Sequence, residues 1–338
     1  MVPKGLSVKR LRQSIAFAAA VAGVVVGLTA GGGAAAAASA PKKIITFVYA
    51  PRGFNDATMA WWNGFDQAAR QLGSSFTVED KGTSTLEVDP APYLQFIQAA
   101  LVEKPAGIVV TPAVGAPMKS ALETIIHSGI KVLIMDSTVP GLTDEVSFVG
   151  TNNYAAGTSA AKWMIREYKD KKLSSNQIAI LEAPPGPSAT NLRAAGFKAA
   201  IKGSGLKVAA DLTPGLDTTA ARAAMANVLT AHPKVAAVYS VTDIIGIGAA
   251  STLVSDGRTD VKQISVDGTA AGVQLILSHK GMTAEIAQNI KAAGYLAVTT
   301  LAKSLDGQKV PANVFTPTTL VTAANANAYL KTAAQQSK

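Results

Sequence analysis

The residues best placed to do chemistry are acids at the ends of apolar runs. Ile264-Ser265-Val266-Asp267-Gly268-Thr269 reads as a buried strand that stops at a carboxylate and a turn glycine. Val132-Leu133-Ile134-Met135-Asp136 repeats the plan, and Val238–Asp243 does so in modified form. In a parallel α/β sheet, ligands bind at the carboxyl ends of strands, so these acids are expected to face one cleft. An ionised carboxylate only accepts hydrogen bonds and holds a hydroxyl more strongly than a neutral group does. Asp136 and Asp267 could therefore bind ligand hydroxyls. They could in principle form the acid/base pair of a glycoside hydrolase, and the residue types leave both open.

Other side chains complement these acids. Arg193 offers five donors in a rigid fork and lies beside the Ala183-Pro184-Pro185-Gly186-Pro187 loop. Gln288 ends another strand-like run and supplies both a donor and an acceptor. The first strand runs into Pro51-Arg52-Gly53-Phe54-Asn55-Asp56, which brings Arg52 and Asn55 towards the cleft, while Asp56 reads as a helix cap. Trp61 follows the core periodicity of the next helix, and Trp62 is expected to pack as well.

Several chemistries are excluded or unsupported. The 338 residues contain no cysteine, and the three histidines, His127, His232 and His279, lack metal-ligand spacing. There is no Gly-x-Ser-x-Gly elbow, phosphate loop, His-Glu-x-x-His motif or calcium loop. Gly246-Ile247-Gly248 reads as tight helix packing. We expect no metal, no cofactor and no enzymatic activity. The net charge of +9 is inflated by Lys4, Lys9, Arg10 and Arg12 in a stretch without acids. The remaining basic residues are dispersed, which argues against a nucleic-acid partner.

That basic start is followed by an apolar stretch, Ile15 to Leu28, and small residues from Gly31 to Ala40. This is the layout of a secretory signal peptide over residues 1–40, with cleavage between Ala36 and Ala40. A retained anchor is the alternative, but the apolar core is short and interrupted by glycine. The expected location is the periplasm.

The elements that must position the acids alternate. Strand-like runs at Ile44–Ala50, Phe76–Asp80, Gly107–Thr111 and Lys131–Asp136 are separated by helical patterns at Asp56–Leu72, Pro92–Glu103 and Met118–Ser128. The alternation restarts with a helix at Asn152–Lys169 and continues to Ala292–Leu305; an extended run, Val314–Val321, precedes a polar tail. This predicts an α/β fold with parallel sheets covered on both faces. Gly64-Phe65-Asp66-Gln67-Ala68 also echoes Gly196-Phe197-Lys198-Ala199-Ala200, as two similar lobes would require.

Taken together, Met135-Asp136, Arg193-Ala194-Ala195-Gly196-Phe197, Leu229-Thr230-Ala231-His232-Pro233, Asp267-Gly268-Thr269 and Ile286-Ala287-Gln288 resemble the ribose-binding-protein type of periplasmic solute-binding protein. The resemblance covers nearly the whole chain after residue 40. It implies two Rossmann-like lobes, 41–150 plus 289–316 and 151–288 plus 317–338, joined by three crossover segments and closing about a hinge. It implies ligand-binding roles for Asn55, Asp136, Arg193, Asp267 and Gln288. Arg52 and Thr242 complete the expected set, Thr242 standing where the family often has asparagine. The implied partners are a small carbohydrate or polyol and an inner-membrane ABC permease, with the protein itself monomeric. A chemoreceptor role is compatible with the same fold. A lactose-repressor-type regulator is not favoured, because the DNA-binding module is replaced by the signal-like segment. Ala57, Thr58 and Leu216 stand where family members commonly carry ring-stacking aromatics. The expected ligand is therefore a small or acyclic polyol, a branched sugar or a related hydroxylated compound.

Overall fold

The computed structural model describes residues 43–48, 56–82, 89–112 and 115–336. The expected signal peptide and the candidate residues Arg52 and Asn55 lie outside the described residues.

Two six-stranded sheets form the framework. The first contains β1 (Lys43–Val48), β2 (Phe76–Asp80), β3 (Gly107–Val110), β4 (Lys131–Met135), β5 (Ser147–Thr151) and β11 (Asn313–Thr316), in the order β11-β5-β4-β3-β1-β2. The second contains β6 (Gln177–Leu181), β7 (Lys207–Leu212), β8 (Val235–Ser240), β9 (Lys262–Asp267), β10 (Ala284–Ala287) and β12 (Thr319–Thr322), in the order β12-β10-β9-β8-β6-β7. The two orders correspond strand for strand. Every pairing is parallel except β10 with β12. Strands such as β3 and β8 are buried along their whole length, as expected when helices cover both faces.

Helices α1 (Asp56–Leu72), α2 (Pro90–Glu103), α3 (Gly115–His127) and α9 (Ile290–Leu305) accompany the first sheet. Helices α4 (Asn153–Lys169), α5 (Ser188–Ile201), α6 (Thr218–Ala231), α7 (Asp243–Ser255), α8 (Ala270–Leu277) and α10 (Ala326–Gln336) accompany the second. Each sheet has its own core. Phe65, Tyr93, Ile97 and Leu133 anchor one. In the other, Phe197 and Tyr239 stack with ring centroids 4.0 Å apart.

Among the described residues the chain passes between the sheets at three places: from β5 to α4, from β10 to α9, and from β11 to β12. The first two passages are built alike. Asn152 caps α4 by accepting from the Ala155 amide, and Asn289 caps α9 by accepting from the Ala292 amide. Each new helix then packs against the first large helix of the half it enters. Glycines make the close approach: Gly157 and Gly196 between α4 and α5, Gly294 and Gly64 between α9 and α1. A Cβ on Gly157 would overlap the Arg193 carbonyl, and one on Gly294 would overlap the Trp61 carbonyl. The sequence echo around Gly64 and Gly196 thus falls on two equivalent helix crossings.

Three expectations need correction. Strand β5 is missing from the sequence reading, since Ser147-Phe148-Val149-Gly150-Thr151 is short and polar at both ends. The extended run Val314–Val321 is two strands, β11 and β12, one in each sheet. The polar tail contains α10, whose buried Ala326 and partly buried Tyr329 and Leu330 pack with Val273 and Ile276 of α8. Trp62 packs as expected, edge-on to Phe65 at 5.2 Å.

Candidate functional site

The centre of the site is Asp267, the last residue of β9. Its carboxylate is saturated. Oδ1 accepts from Arg193 Nη1 at 2.8 Å and from Gln288 Nε2 at 2.7 Å. Oδ2 accepts from Thr242 Oγ1 at 2.5 Å and from the Asp243 amide at 3.1 Å. Four donors match the lone-pair capacity of a carboxylate. They also fix a strained backbone, since Asp267 has φ of 142°, a region L-residues seldom occupy. The Gln288 amide donates to the Asp267 carbonyl at 2.9 Å and ties this strand end to the passage that follows β10.

Arg193 comes from α5 and is 3% exposed. A buried guanidinium needs partners, and it has them in Asp267, the Val241 carbonyl at 3.0 Å and Asn153 Oδ1 at 2.9 Å. Asn153 also donates through Nδ2 to the Asp136 carbonyl at 3.3 Å. One side chain at the first passage between the sheets therefore joins Arg193 to the strand end carrying Asp136.

Asp136 follows β4, the counterpart of β9 in the strand orders, and it too has positive φ, 65°. Among the described residues, its carboxylate is far less supported. Ser137 Oγ lies at a long 3.4 Å from Oδ2. Asp136 keeps some exposed surface yet sits within protein mass. Burial pushes its carboxyl above the usual carboxylate range; Arg193 pulls it back and the Asp267 charge adds to the rise. Among the described residues Asp136 thus has acceptor capacity to spare, close enough to Arg193 and Asp267 for their charges to be felt.

The loop after β4 also touches α5 directly. Ser188 Oγ accepts from the Thr138 amide at 2.6 Å, and the Ala189 amide donates to Ser137 Oγ at 3.4 Å. A cavity of about 540 Å³ opens beside Asp267 and Gln288, between Ala57 and Ala60 of α1 and Tyr329 of α10. That volume is in the range of small-molecule sites.

The structure thus gathers Asp136, Arg193, Thr242, Asp267 and Gln288 in one place. Thr242 uses its hydroxyl proton on Asp267. Leu216 is partly buried against the second core, and Thr58 is buried. Sequence reading missed Asn153 and Ser188, because polar residues at helix starts look like caps. No group of histidine, aspartate and glutamate among the described residues could hold a metal ion.

With this geometry in hand, the comparisons with known proteins are specific. Residues 45–309 match the sequence model of the periplasmic binding protein domain, and the chain belongs to that family. The ribose import binding protein of Salmonella typhimurium is 28% identical over 250 residues, which is 74% of this chain and 81% of the relative. A solved ABC transporter solute binding protein from Mycobacterium smegmatis with bound glycerol is 26% identical, with a TM-score of 0.74 over 85% of this chain and 96% of that one. A carbohydrate transporter solute binding protein from Agrobacterium radiobacter, in complex with D-arabinose, shares the fold with a TM-score of 0.77 at 24% identity, over 84% and 95% of the two chains.

Proposed function

We propose that this protein is a periplasmic solute-binding protein that captures a sugar or small polyol and delivers it to an ABC import permease. The observation that carries this reading is the pair of strand-end carboxylates, one from each sheet, with Arg193 paired to Asp267 and its charge felt at Asp136. Asp136 would take ligand hydroxyls through its open oxygen. Arg193, Gln288 and the Asp267 loop would hold the ligand from the other sheet, with Thr242 orienting Asp267. Arg52 and Asn55 remain part of the proposed binding set. We take 41–150 plus 289–316 and 151–288 plus 317–338 as the two lobes. Ligand bridging them favours the closed state by differential affinity. Action as a monomer belongs to the same proposal.

Hydrolysis is the weaker reading. A nucleophile or base needs a free lone pair, and the four donors on Asp267 leave it none to spare. Delivery of the ligand to a chemoreceptor is compatible with capture but has no separate observation behind it. The ligand class follows from the small residues at the cavity. Ala57 and Ala60 offer no stacking face, and the hydroxyl of Tyr329 is tied to the Gly268 carbonyl at 2.8 Å. A small or acyclic polyol or a branched sugar fits this lining better than a flat pyranose.

A thermal-shift screen against sugars, sugar alcohols and hydroxy acids tests the reading. A ligand at a hundredfold its dissociation constant adds about 2.7 kcal/mol of stability. A hit that Arg193→Ala abolishes supports capture at this site. Tight binding of a hexopyranose alone would overturn the ligand class, and no shift with any of these compounds would overturn capture of a polyhydroxylated solute.

A further inference from the structure

Behind the Asp267–Thr269 loop lies a second pair of carboxyl groups that the binding proposal does not use. Glu285, within β10, is 0% exposed. Neither of its oxygens closes a hydrogen bond of normal geometry with an N–H or O–H donor, and the nearby Gly268 amide gives only weak support. Asp243, the first residue of α7, is 1% exposed. Its Oδ1 accepts from Ser265 Oγ at 3.0 Å, and its Oδ2 accepts from the Thr269 amide at 2.8 Å and Thr269 Oγ1 at 2.7 Å. Both carboxyls crowd one point on α8. A Cβ on Gly272 would overlap Glu285 Oε1 and come within 2.8 Å of Asp243 Oδ2.

Among the described residues, none of the groups that act most strongly on the pair is a cation. Ser265 and Asp267 come from β9 and Gly272 from α8. Tyr329 comes from α10 and donates to the Gly268 carbonyl. The β12 residue opposite Glu285 is Val321. The charge of Arg193 is paired with Asp267 and acts on Asp136. Two bare carboxylates cannot coexist so close in a low dielectric. A proton on one turns it from acceptor into donor and removes the conflict.

We propose that Glu285 is a positioning residue for the binding loop: as a neutral acid it donates a hydrogen bond to Asp243, and Asp243 in turn holds Asp267 and Thr269 in place. The bearing of this on ligand affinity rests on the binding reading, but the loop itself can be tested without ligand. Burial first, and then the Asp243 charge, push the Glu285 carboxyl well above its usual range. Burial also lifts Asp243 to about 6, against the opposing effect of the hydrogen bond with Glu285. The pair titrates as a unit. It carries one proton at neutral pH, takes a second as pH falls through about 6, and loses its last as pH rises past the Glu285 value. That last loss places two charges side by side and loosens Asp243 from Thr269.

The experiment uses the ligand-free protein and two readouts over neutral to alkaline pH. One is the infrared carbonyl stretch of a protonated buried carboxyl. The other is the exchange protection factor of the Thr269 amide. In the wild type, the band is expected at neutral pH and should disappear on alkaline titration, with Thr269 protection falling in step by about tenfold, the loss of one charge-assisted hydrogen bond. Glu285→Gln keeps a neutral donor. It should lack the band and hold Thr269 protection constant over the same range. Should Glu285→Gln fail to fold, Asp243→Asn serves: with no anion beside it, Glu285 should lose its proton at lower pH than in the wild type. The proposal is overturned if the wild type shows no band at neutral pH, if Glu285→Gln keeps the alkaline loss of protection, or if Asp243→Asn leaves the titration where it was.

Discussion

The two halves of the molecule share one plan and furnish it differently. At corresponding places on α5 and α1 stand Arg193 and Trp61, each presenting its carbonyl to a glycine of the partner helix. At corresponding places just inside α4 and α9, one residue past the cap asparagine, stand Asn153 and Ile290. The second-sheet crossing is therefore polar, with a guanidinium held by an amide and a carboxylate, while the first-sheet crossing is apolar, with Trp61 buried and Ile290 packed on the core. The strand-end acids differ in the same sense: among the described residues, Asp267 has four donors and Asp136 one long one. Shared backbone geometry places the groups, and the side chains decide which half is pre-organised and which retains free hydrogen-bonding capacity.

The comparison breaks first at the crossings, where both halves should fail alike. Gly157→Val and Gly64→Val each force a side chain into a partner backbone, so each should cost more than about 3 kcal/mol, read as loss of cooperative thermal unfolding. A tolerated Gly64→Val beside a lethal Gly157→Val would show that the equivalence is only in outline.

The acids should then separate. Asp267→Ala strands Arg193, Gln288 and Thr242. Breaking a buried pair by removing one partner costs about 3–5 kcal/mol, so both stability in denaturant and ligand binding should collapse. Asn153→Ala removes the link between Arg193 and the Asp136 carbonyl. A loss of about 1–3 kcal/mol is expected, with a larger loss in binding than Ile290→Ala at the matching place.

The smallest effect has the opposite sign. Because burial raises the Asp136 carboxyl, the folded state favours its neutral form. The stability this group contributes is full below its unfolded value and is lost as pH rises through the raised one. Asp136→Asn should therefore melt slightly higher than the wild type at neutral pH, with the advantage vanishing in acid, while still binding ligand less well. A lower melting temperature at neutral pH would mean that Asp136 is better supported than its one long contact among the described residues suggests.

Much of this difference could be read from the chain before folding. A buried run that halts at an acid and a glycine marks a strand end facing a cleft, which is why Asp136 and Asp267 stood out. Arg193 was legible because a cation beside a proline-rich loop is an unusual helix residue. Asn153 was not, since its role depends on two partners brought near by the passage between sheets. Glu285 carried a signal that went unused: an acid inside a four-residue strand buried on both faces must find a partner or keep its proton. Helix α10 has alanine, asparagine and glutamine where an apolar stripe would be diagnostic, so only its packing on α8 defines it.

The strand order also has a consequence for how the chain folds. Strand β5 of the first sheet is flanked by β11, and α9 covers that sheet, yet both arrive only after the whole of the second sheet's β6 to β10 has been made. Until residues 290–316 are synthesised, the first sheet has an unpaired edge and a bare apolar face. Contacts of such long sequence separation slow folding and leave intermediates open to aggregation. A chain emerging from the ribosome can thus pair β6 to β10 of the second sheet before the first sheet is closed, and a chaperone that binds exposed strand edges would find its longest-lived target along β5.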